Sequence, residues 1–199
     1  MMTDARRGKR NLVLVWLDLR KAFPSVHHDL LSLMMERIGL SGAILDIVRD
    51  IYTNASVAIR TGRDSYTPHI LQNRGVKQGC LLSPILFNVV LEGLLRHLAS
   101  CDVGYTLSGD KVNALAYADD VCIAASSKEE AQILLDRCTQ YVEWAGFAFN
   151  AKKCGSLCLV NQASPIYVDH LCIQRLGDDV IHAISSVESY KYLWFPLGV

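Results

Sequence analysis

The sequence predicts an α+β fold in which a mainly antiparallel sheet is flanked by helices. A continuous apolar run, NLVLVWLDL at residues 11–19, is typical of a strand buried on both faces. Apolar residues recur at helical spacing over residues 28–37 and 41–52, which indicates two amphipathic helices. Strand-like and helix-like segments are mixed without strict alternation, and this pattern favours an antiparallel sheet over a parallel one.

Glycine, serine and proline residues set the predicted helix ends in the first half of the chain. Gly39 ends the first of the two helices, and Ser41 is a candidate N-cap for the second. Ser83 and Pro84 are predicted to open a third helix that runs to about residue 99.

The second half of the chain is predicted to contain a fourth helix and most of the strands. A capping box at residues 126–129 opens this helix, and Gly146 ends it. The turn sequence Ser-Gly-Asp at residues 108–110 predicts a hairpin between short strands. Further β segments are expected at residues 56–60, 69–71, 105–107, 112–117, 121–125, 147–149 and 157–160, with a last hairpin over residues 171–184.

Composition and charge restrict the class of protein. The 199 residues are 51% hydrophobic, which is ample for a globular core. Because 20 Lys and Arg residues balance 20 Asp and Glu residues, there is no net charge to attract nucleic acid, and any basic surface must be local. One local cluster lies in residues 1–10, interpreted as a basic N-terminal tail: Arg6, Arg7, Lys9 and Arg10.

The sequence gives no sign of a membrane protein or of a zinc site. The first residues lack the apolar segment of a signal peptide, and no stretch approaches the ~18 apolar residues of a membrane span. We therefore expect an intracellular protein, cytoplasmic or nuclear or both, with no membrane partner. The seven cysteines are expected to be reduced and buried, because their number is odd and they show no paired CxxC spacing. The spacing of the one zinc set considered fits none of the usual templates: Cys154, Cys158, His170 and Cys172.

Two adjacent acids stand inside an apolar run, LAYADDVCIA at residues 115–124. Residues 115–117 and 121–123 are predicted strands, which puts Asp119 and Asp120 at the tip of a tight hairpin. Hairpin turns commonly contain Asp, so turn chemistry alone is one explanation of the pair. Both strands are predicted to be buried, however, and a carboxylate pair near a core has at least one raised pKa unless cations neutralise it.

Asp18 poses the same electrostatic problem at the end of the predicted strand at residues 11–19. If this strand pairs with the one that follows Asp120, three carboxylates meet at neighbouring strand ends. Hard divalent cations prefer such oxygen ligands, and two of them can assist phosphoryl transfer. The alternative is that the three acids are unrelated and are neutralised by Arg or Lys.

Five segments follow one another along nearly the whole chain: LVWLDLRKAFPSVHHDLL, RGVKQGCLLSPILFNVVLEGLL, LAYADDVCIAA, GFAFNAKKC and YKYLWFPLGV. In this order they resemble the palm motifs of the reverse transcriptase domain of non-LTR (LINE-like) retrotransposons. A lone YADD would be weak evidence, whereas the ordered set is specific. The resemblance implies a polymerase palm and RNA-directed DNA polymerase activity, in which a primer 3′-hydroxyl attacks a dNTP on an RNA template. It also implies a DNA primer as partner and two Mg²⁺ ions as cofactors, although Mn²⁺ also suits carboxylate ligands.

The resemblance assigns roles to residues at matching positions. It implies that the metal ligands and catalytic acids are Asp18, Asp119 and Asp120, with Lys153 as a catalytic general acid. It implies dNTP-binding roles for Phe23, Gln78 and Gly79, with Phe23 as a steric gate. It implies that a primer grip begins with Tyr190, Lys191 and Tyr192.

The resemblance also implies a domain layout and leaves two alternative functions open. Residues 11–199 would be the palm with part of the fingers, at about residues 40–80, and most of the fingers and the thumb are expected to be absent. One alternative is a catalytically inactive retrotransposon remnant, and the other is an RNA-dependent RNA polymerase. Phe23 argues against the latter, because an aromatic ring against the sugar leaves no room for a 2′-hydroxyl. The oligomeric state is not predicted.

Overall fold

The computed structural model describes residues 1–161, 167–169, 174–185, 189–192 and 195–198. The chain forms two compact units, which we call the sheet unit and the helical unit. The sheet unit contains Met1–Arg20 and Leu94–Val199, and the helical unit contains Lys21–Gly93.

Four of the described helices lie close to the segments predicted to be helical, and the two short helices at residues 2–8 and 22–25 were not predicted. The helices are α1 Met2–Gly8, α2 Ala22–Ser25, α3 His28–Arg37, α4 Ala43–Tyr52, α5 Ser83–Ala99 and α6 Lys128–Trp144, with a 3₁₀ turn at Ala151–Lys153. The predicted bounds of α3 and α5 are confirmed. In the described part of the chain, no helix has the length and apolar character needed to cross a membrane.

The strands are short apart from the three in the centre of the main sheet. They are β1 Leu12–Asp18, β2 Ser56–Val57, β3 Ile70–Leu71, β4 Tyr105–Leu107, β5 Asp110–Val112, β6 Ala114–Tyr117, β7 Asp120–Ala125, β8 Gly155–Val160, β9 Tyr167–Val168, β10 Gln174–Leu176, β11 Asp179–Ala183, β12 Ser189–Tyr192 and β13 Phe195–Gly198. The predicted hairpins around residues 108–110 and 177–178 are confirmed by the pairs β4 with β5 and β10 with β11.

The sheet unit is built around one large sheet. Its strands lie in the order β10, β11, β8, β1, β7, β6, and β9 also pairs with β8. Strand β1 is antiparallel to both of its neighbours, β7 and β8, and among the described strand pairs only β8 and β11 are parallel. The predicted mainly antiparallel sheet is therefore confirmed.

Both faces of the central strands are covered, as the continuous apolar run of β1 requires. Helix α6 packs on β7 and β1 with its buried residues Ala131, Leu134, Leu135, Cys138, Tyr141 and Val142. The opposite face carries alternate residues of β1, namely Leu12, Leu14 and Trp16, which share a cluster with Ala5 of α1 and with Tyr105. Six of the seven residues of β1 are buried, and Asp18 is the exception.

The segment interpreted as a basic tail forms the short helix α1. Asp4 of this helix forms an ion pair with Arg10 and accepts a hydrogen bond of 2.5 Å from the hydroxyl of Tyr105. The guanidinium of Arg10 also lies 5.2 Å from the centre of the Tyr105 ring. Burial of Tyr105 and its bond to Asp4 raise the pKa of this phenol to about 12. Residues far apart in sequence thus hold α1 on the sheet.

Tyr105→Phe is expected to lower the free energy of unfolding by about 1–2 kcal/mol, because it removes a hydrogen bond to a charged acceptor and keeps the ring. Urea denaturation followed by circular dichroism measures this change. Tyr117→Phe is the matched control, since Tyr117 is 69% exposed and its substitution should leave stability unchanged. Equal stability of the two variants would show that the bond to Asp4 does not help to hold α1.

The helical unit pairs α3 with α4. Their buried faces contain Leu30, Leu31, Met34 and Met35 on α3, and Leu45, Val48 and Tyr52 on α4. Helix α4 begins at Ala43, two residues later than predicted. Gly42 has a φ of 62°, which is not helical, and Ser41 makes no cap. The β segments expected at residues 56–60 and 69–71 are reduced to β2 and β3, two residues each.

Three sequence-based expectations in the sheet unit need correction. The cap of α6 lies one residue later than predicted, because Ser127 accepts a hydrogen bond from the backbone N–H of Glu130. The strand expected at residues 147–149 is a single bridge between Phe149 and Leu19. Cys158 is disulfide-bonded, contrary to the expected reduced state, whereas Cys154 is free and buried. The remaining members of the possible zinc set, His170 and Cys172, lie outside the described residues.

Candidate active site

The two adjacent acids lie where β6 turns into β7. Tyr117 pairs with Asp120 across the hairpin, which leaves Ala118 and Asp119 as the turn. Ala118 has a φ of 52°, a left-handed conformation that a tight hairpin turn requires. Asp120 was expected in the turn and is instead the first residue of β7.

The expectation that both strands of this hairpin are buried is correct only for β7. Five of its six residues, Val121 to Ala125, are buried. Strand β6 is the edge strand of the sheet, and its Leu115 and Tyr117 are 52% and 69% exposed. An edge strand has a pairing partner on one side only, so an apolar sequence does not ensure its burial.

Asp18, at the end of β1, lies directly opposite Asp120 in the ladder between β1 and β7. Residues opposite each other in an antiparallel pair point to the same face of the sheet, with Cβ atoms about 4.5–5.5 Å apart. Like charges in such a pair repel each other. The sheet therefore brings together the two carboxylates that the sequence placed at separate strand ends, with Asp119 adjacent in the chain.

The electrostatics of Asp120 reflect this crowding. Partial burial raises the pKa of its carboxyl group, and repulsion from Asp119 and Asp18 raises it further. The ammonium of Lys153 acts in the opposite direction. The site is thus a region of negative potential in which a bound cation would be stabilised.

Asp120→Asn is expected to stabilise the metal-free protein at neutral pH. Because the pKa of Asp120 is raised in the folded state, the folded protein keeps this proton over a pH window in which the unfolded chain has lost it. The window begins at 3.8, the ordinary pKa of an aspartate, and the free energy of unfolding falls as the pH rises through it. Above the window the ionised carboxylate lowers the free energy of unfolding by a constant amount.

Thermal unfolding in the presence of EDTA, measured at several pH values, tests this expectation. We expect Asp120→Asn to raise the Tm at pH 7 by about 1–3 °C. The difference between the variants should shrink as the pH falls through 3.8, because below that value the wild-type carboxyl group becomes neutral in both states. A lower Tm for Asp120→Asn at pH 7 would contradict the argument.

Lys153 approaches the same carboxylates from the 3₁₀ turn Ala151–Lys153. Its Nζ lies 3.7 Å from Oδ1 of Asp18. The lysine side chain is 67% exposed and that of Asp18 is 25% exposed, so this is a weak, solvent-accessible ion pair. Asn150, interpreted from the sequence as a turn residue, precedes the 3₁₀ turn, and its N–H donates to the backbone oxygen of Asp18 at 2.8 Å.

Cys154 is a residue of this site that the sequence analysis missed. The backbone N–H of Asp18 donates to its Sγ at 3.5 Å, and the thiol donates to the backbone oxygen of Asn150 at 3.4 Å. Burial raises the pKa of this thiol to about 11, so it remains protonated at neutral pH. Its position directly after Lys153 was the only sequence signal.

The three residues with implied dNTP-binding roles lie together in the helical unit. Phe23, Gln78 and Gly79 line a cavity of about 400 Å³, with Cys80, Leu81, Ser83 and Pro84 as its other walls. The ring of Phe23 stacks on that of Phe87 at 5.0 Å between centroids and an interplanar angle of 12°. Gly79 has a φ of 85°, a conformation that other residues rarely adopt.

The residues with implied primer contacts lie on β12. The backbone of Tyr190, Lys191 and Tyr192 pairs with that of β13 in a two-stranded antiparallel sheet. Their side chains lie outside the described part of the structure.

The carboxylates of Asp18, Asp119 and Asp120 offer oxygen atoms, which are the ligands that hard divalent cations prefer. Among the described residues, no three His, Cys, Asp or Glu side chains are grouped so as to hold a metal ion. Mg²⁺ does not need such a cage, because it is commonly held by one or two carboxylates together with substrate phosphates and water. The opposed pair of Asp18 and Asp120 supplies hard oxygen ligands of that kind.

Comparison with known proteins identifies the family. Residues 2–197 match the family described as reverse transcriptase (RNA-dependent DNA polymerase). The chain belongs to this family. Reverse transcriptases use divalent metal ions, which agrees with the acidic character of the site.

Curated relatives within the reverse transcriptase family are polyproteins of R2 retrotransposable elements, which are non-LTR elements. The chain is 28% identical over 199 residues to a retrovirus-related Pol polyprotein from the type-1 element R2 of Popillia japonica. It is 31% identical over 202 residues to the corresponding polyprotein from the type-2 element R2DM of Drosophila melanogaster. These alignments cover 100% and 97% of the chain but only 28% and 18% of the two polyproteins. The resemblance inferred from the motifs is confirmed.

The fold is shared with telomerase. The solved structure of apo telomerase from Candida tropicalis, truncated from its C-terminal domain, has a TM-score of 0.57 and 16% identity. The match covers 91% of this chain and 38% of the telomerase chain. The predicted reverse-transcriptase-like palm with a mainly antiparallel sheet is thereby confirmed as a fold.

Proposed function

We propose that this chain carries out RNA-directed DNA synthesis, in which a primer 3′-hydroxyl attacks the α-phosphate of a dNTP on an RNA template. The observation that carries the proposal is the pairing of Asp18 with Asp120, with Asp119 in the adjoining turn, in a chain of the reverse transcriptase family. The curated relatives are much longer than this chain, so their names do not establish what the chain does by itself. Its activity, substrates and partners are therefore part of the proposal.

Asp18, Asp119 and Asp120 are the proposed metal ligands and catalytic acids. Two Mg²⁺ ions bound there would activate the attacking hydroxyl and stabilise the leaving oxygen, and Mn²⁺ suits the same ligands. The raised pKa of Asp120 supports this role, since it reports the charge repulsion that a cation would relieve.

Lys153 is the proposed general acid for the departing pyrophosphate. Its ammonium is close enough to Asp18 to belong to the site, and its side chain is 67% exposed, so a phosphate could reach it from solvent. While the carboxylates hold no cation, this lysine provides part of the neutralising charge.

The cavity lined by Phe23, Gln78 and Gly79 is the proposed dNTP site. Gln78 would contact the incoming nucleotide, and Gly79 would let the backbone approach it closely. Phe23 would exclude a 2′-hydroxyl by steric contact. Tyr190, Lys191 and Tyr192 are proposed to begin the primer grip, and the helical unit is proposed to include the fingers part at about residues 40–80.

Primer extension tests the proposal directly. A labelled DNA primer on an RNA template is incubated with the 199-residue chain, and with the longer protein if the reading frame extends beyond it. Extension with dNTPs that requires Mg²⁺ or Mn²⁺ and stops with EDTA is the expected result. Extension with rNTPs alone would favour an RNA-dependent RNA polymerase. No extension by either protein would favour an inactive retrotransposon remnant.

A further inference from the structure

The backbone ladder between β1 and β8 is interrupted beside Asp18. The two strands are in register from Leu12 with Leu159 to Trp16 with Gly155. The next β-bridge described between these segments joins Leu19 to Phe149. Residues 17 and 18 therefore face a loop, residues 150–154, that includes the 3₁₀ turn. Lys153 belongs to this loop and not to β8, and its Nζ lies 3.7 Å from Oδ1 of Asp18.

The thiol of Cys154 fills the gap that the interruption leaves. It accepts the N–H of Asp18, which a ladder carbonyl would otherwise accept, and it donates to the oxygen of Asn150. Asn150 in turn donates its N–H to the oxygen of Asp18. Only 2% of Cys154 is exposed, so water does not readily replace these bonds.

We propose that Cys154 is a positioning residue: its thiol fixes the backbone of Asp18 to the turn that carries Lys153 and so holds the carboxylate and the ammonium in their mutual arrangement. The inference rests on the proposed function, because the arrangement matters for nucleotidyl transfer. Cys154 itself touches no substrate in this scheme. It acts through Asp18 and Lys153.

Three substitutions separate positioning from packing. Cys154→Ser keeps a donor and an acceptor at this place. Cys154→Val fills the volume without either, and Cys154→Ala removes both volume and hydrogen bonds. If the thiol only fills space, Val should be tolerated better than Ser, because burying a hydroxyl is costly. If the thiol positions Asp18, Ser should be tolerated better than Val.

Cys122 provides the matched control. It is also a free, buried cysteine of the central sheet, on β7, and its thiol donates a long hydrogen bond to the backbone oxygen of its neighbour Ile123, at 3.7 Å. It lies in the apolar cluster with Trp16 and Ala124. At this position we expect the result for a thiol that only fills space, in which Cys122→Val is active and Cys122→Ser is impaired.

Primer-extension kinetics give the first readout. We expect the kcat of Cys154→Val and Cys154→Ala to fall about 10- to 100-fold, as small misplacements of reacting groups do, with the KM for dNTP changed less than about twofold. Cys154→Ser should stay within about threefold of the wild type. A Val variant as active as the Ser variant would overturn the inference.

Amide hydrogen exchange at Asp18, followed by NMR on ¹⁵N-labelled protein, gives a second readout that needs no catalysis. Exchange should be at least about tenfold faster in Cys154→Val and Cys154→Ala than in the wild type, and unchanged in Cys154→Ser. If Val does not fold, the comparison of Ser with Ala carries the test, because these two side chains differ mainly in the hydroxyl that can replace the thiol in both hydrogen bonds. An inactive wild type would reject the proposed function, and unchanged exchange in the Val and Ala variants would reject the positioning role.

Discussion

Asp119→Asn is expected to abolish RNA-templated primer extension, with a fall in kcat of at least about 10³-fold, equivalent to about 4 kcal/mol of barrier. Asp119 sits in the two-residue turn between β6 and β7, beside the opposed pair of Asp18 and Asp120. Asparagine has nearly the same shape as aspartate and is equally common in turns, so the hairpin should form normally. The substitution removes one negative charge and one hard oxygen ligand, both of which a phosphoryl-transfer site needs.

The control for Asp119→Asn is Asp110→Asn. Asp110 is also an acid next to a hairpin turn, and it is exposed on β5. Both variants should show wild-type circular dichroism and no loss of Tm, and only Asp119→Asn should lose activity. Primer extension that survives Asp119→Asn would reject the assignment of the metal site. Equal loss in both variants would indicate a general effect of charge rather than a site.

Local patterns in the sequence were sufficient for the elements whose partners are close in the chain. The helix at His28–Arg37 follows from apolar spacing, and the pair β4 with β5 follows from its turn residues. The short helix at Met2–Gly8 could not be anticipated in this way. Its position depends on Asp4, Arg10 and Tyr105, which meet only in the folded chain, so its basic residues resembled a solvated tail.

In the candidate site too, some features follow from local sequence and others depend on contacts that form only in the folded chain. Apolar runs that end in acids indicated that Asp18 and Asp120 would meet if their strands pair, and the sheet contains that pairing. The contacts of Cys154 and Lys153 with Asp18 depend on the 3₁₀ turn that interrupts the ladder. Nothing in the local sequence determines where such an interruption falls opposite another strand.

Phe23→Val is expected to relax the choice of sugar. The ratio of dNTP to rNTP incorporation efficiency should fall about 10- to 100-fold, the range that steric differences of this size supply. Phe23 lines the cavity with Gln78 and Gly79, and its ring is backed by Phe87, which is almost fully buried. A ring held in this way cannot easily move aside for a 2′-hydroxyl, whereas valine leaves the space open.

Phe23→Tyr is the matched control, because it keeps the ring and its stacking on Phe87 and should keep the preference for dNTPs. Competition between dNTP and rNTP at a single template position measures the ratio for all three proteins. Total activity of Phe23→Val with dNTPs should fall less than its selectivity, since the proposed metal ligands are untouched. A valine variant that extends primers and still rejects rNTPs would mean that another group contacts the sugar, and the stacked pair of Phe23 and Phe87 would then be a packing contact of the helical unit.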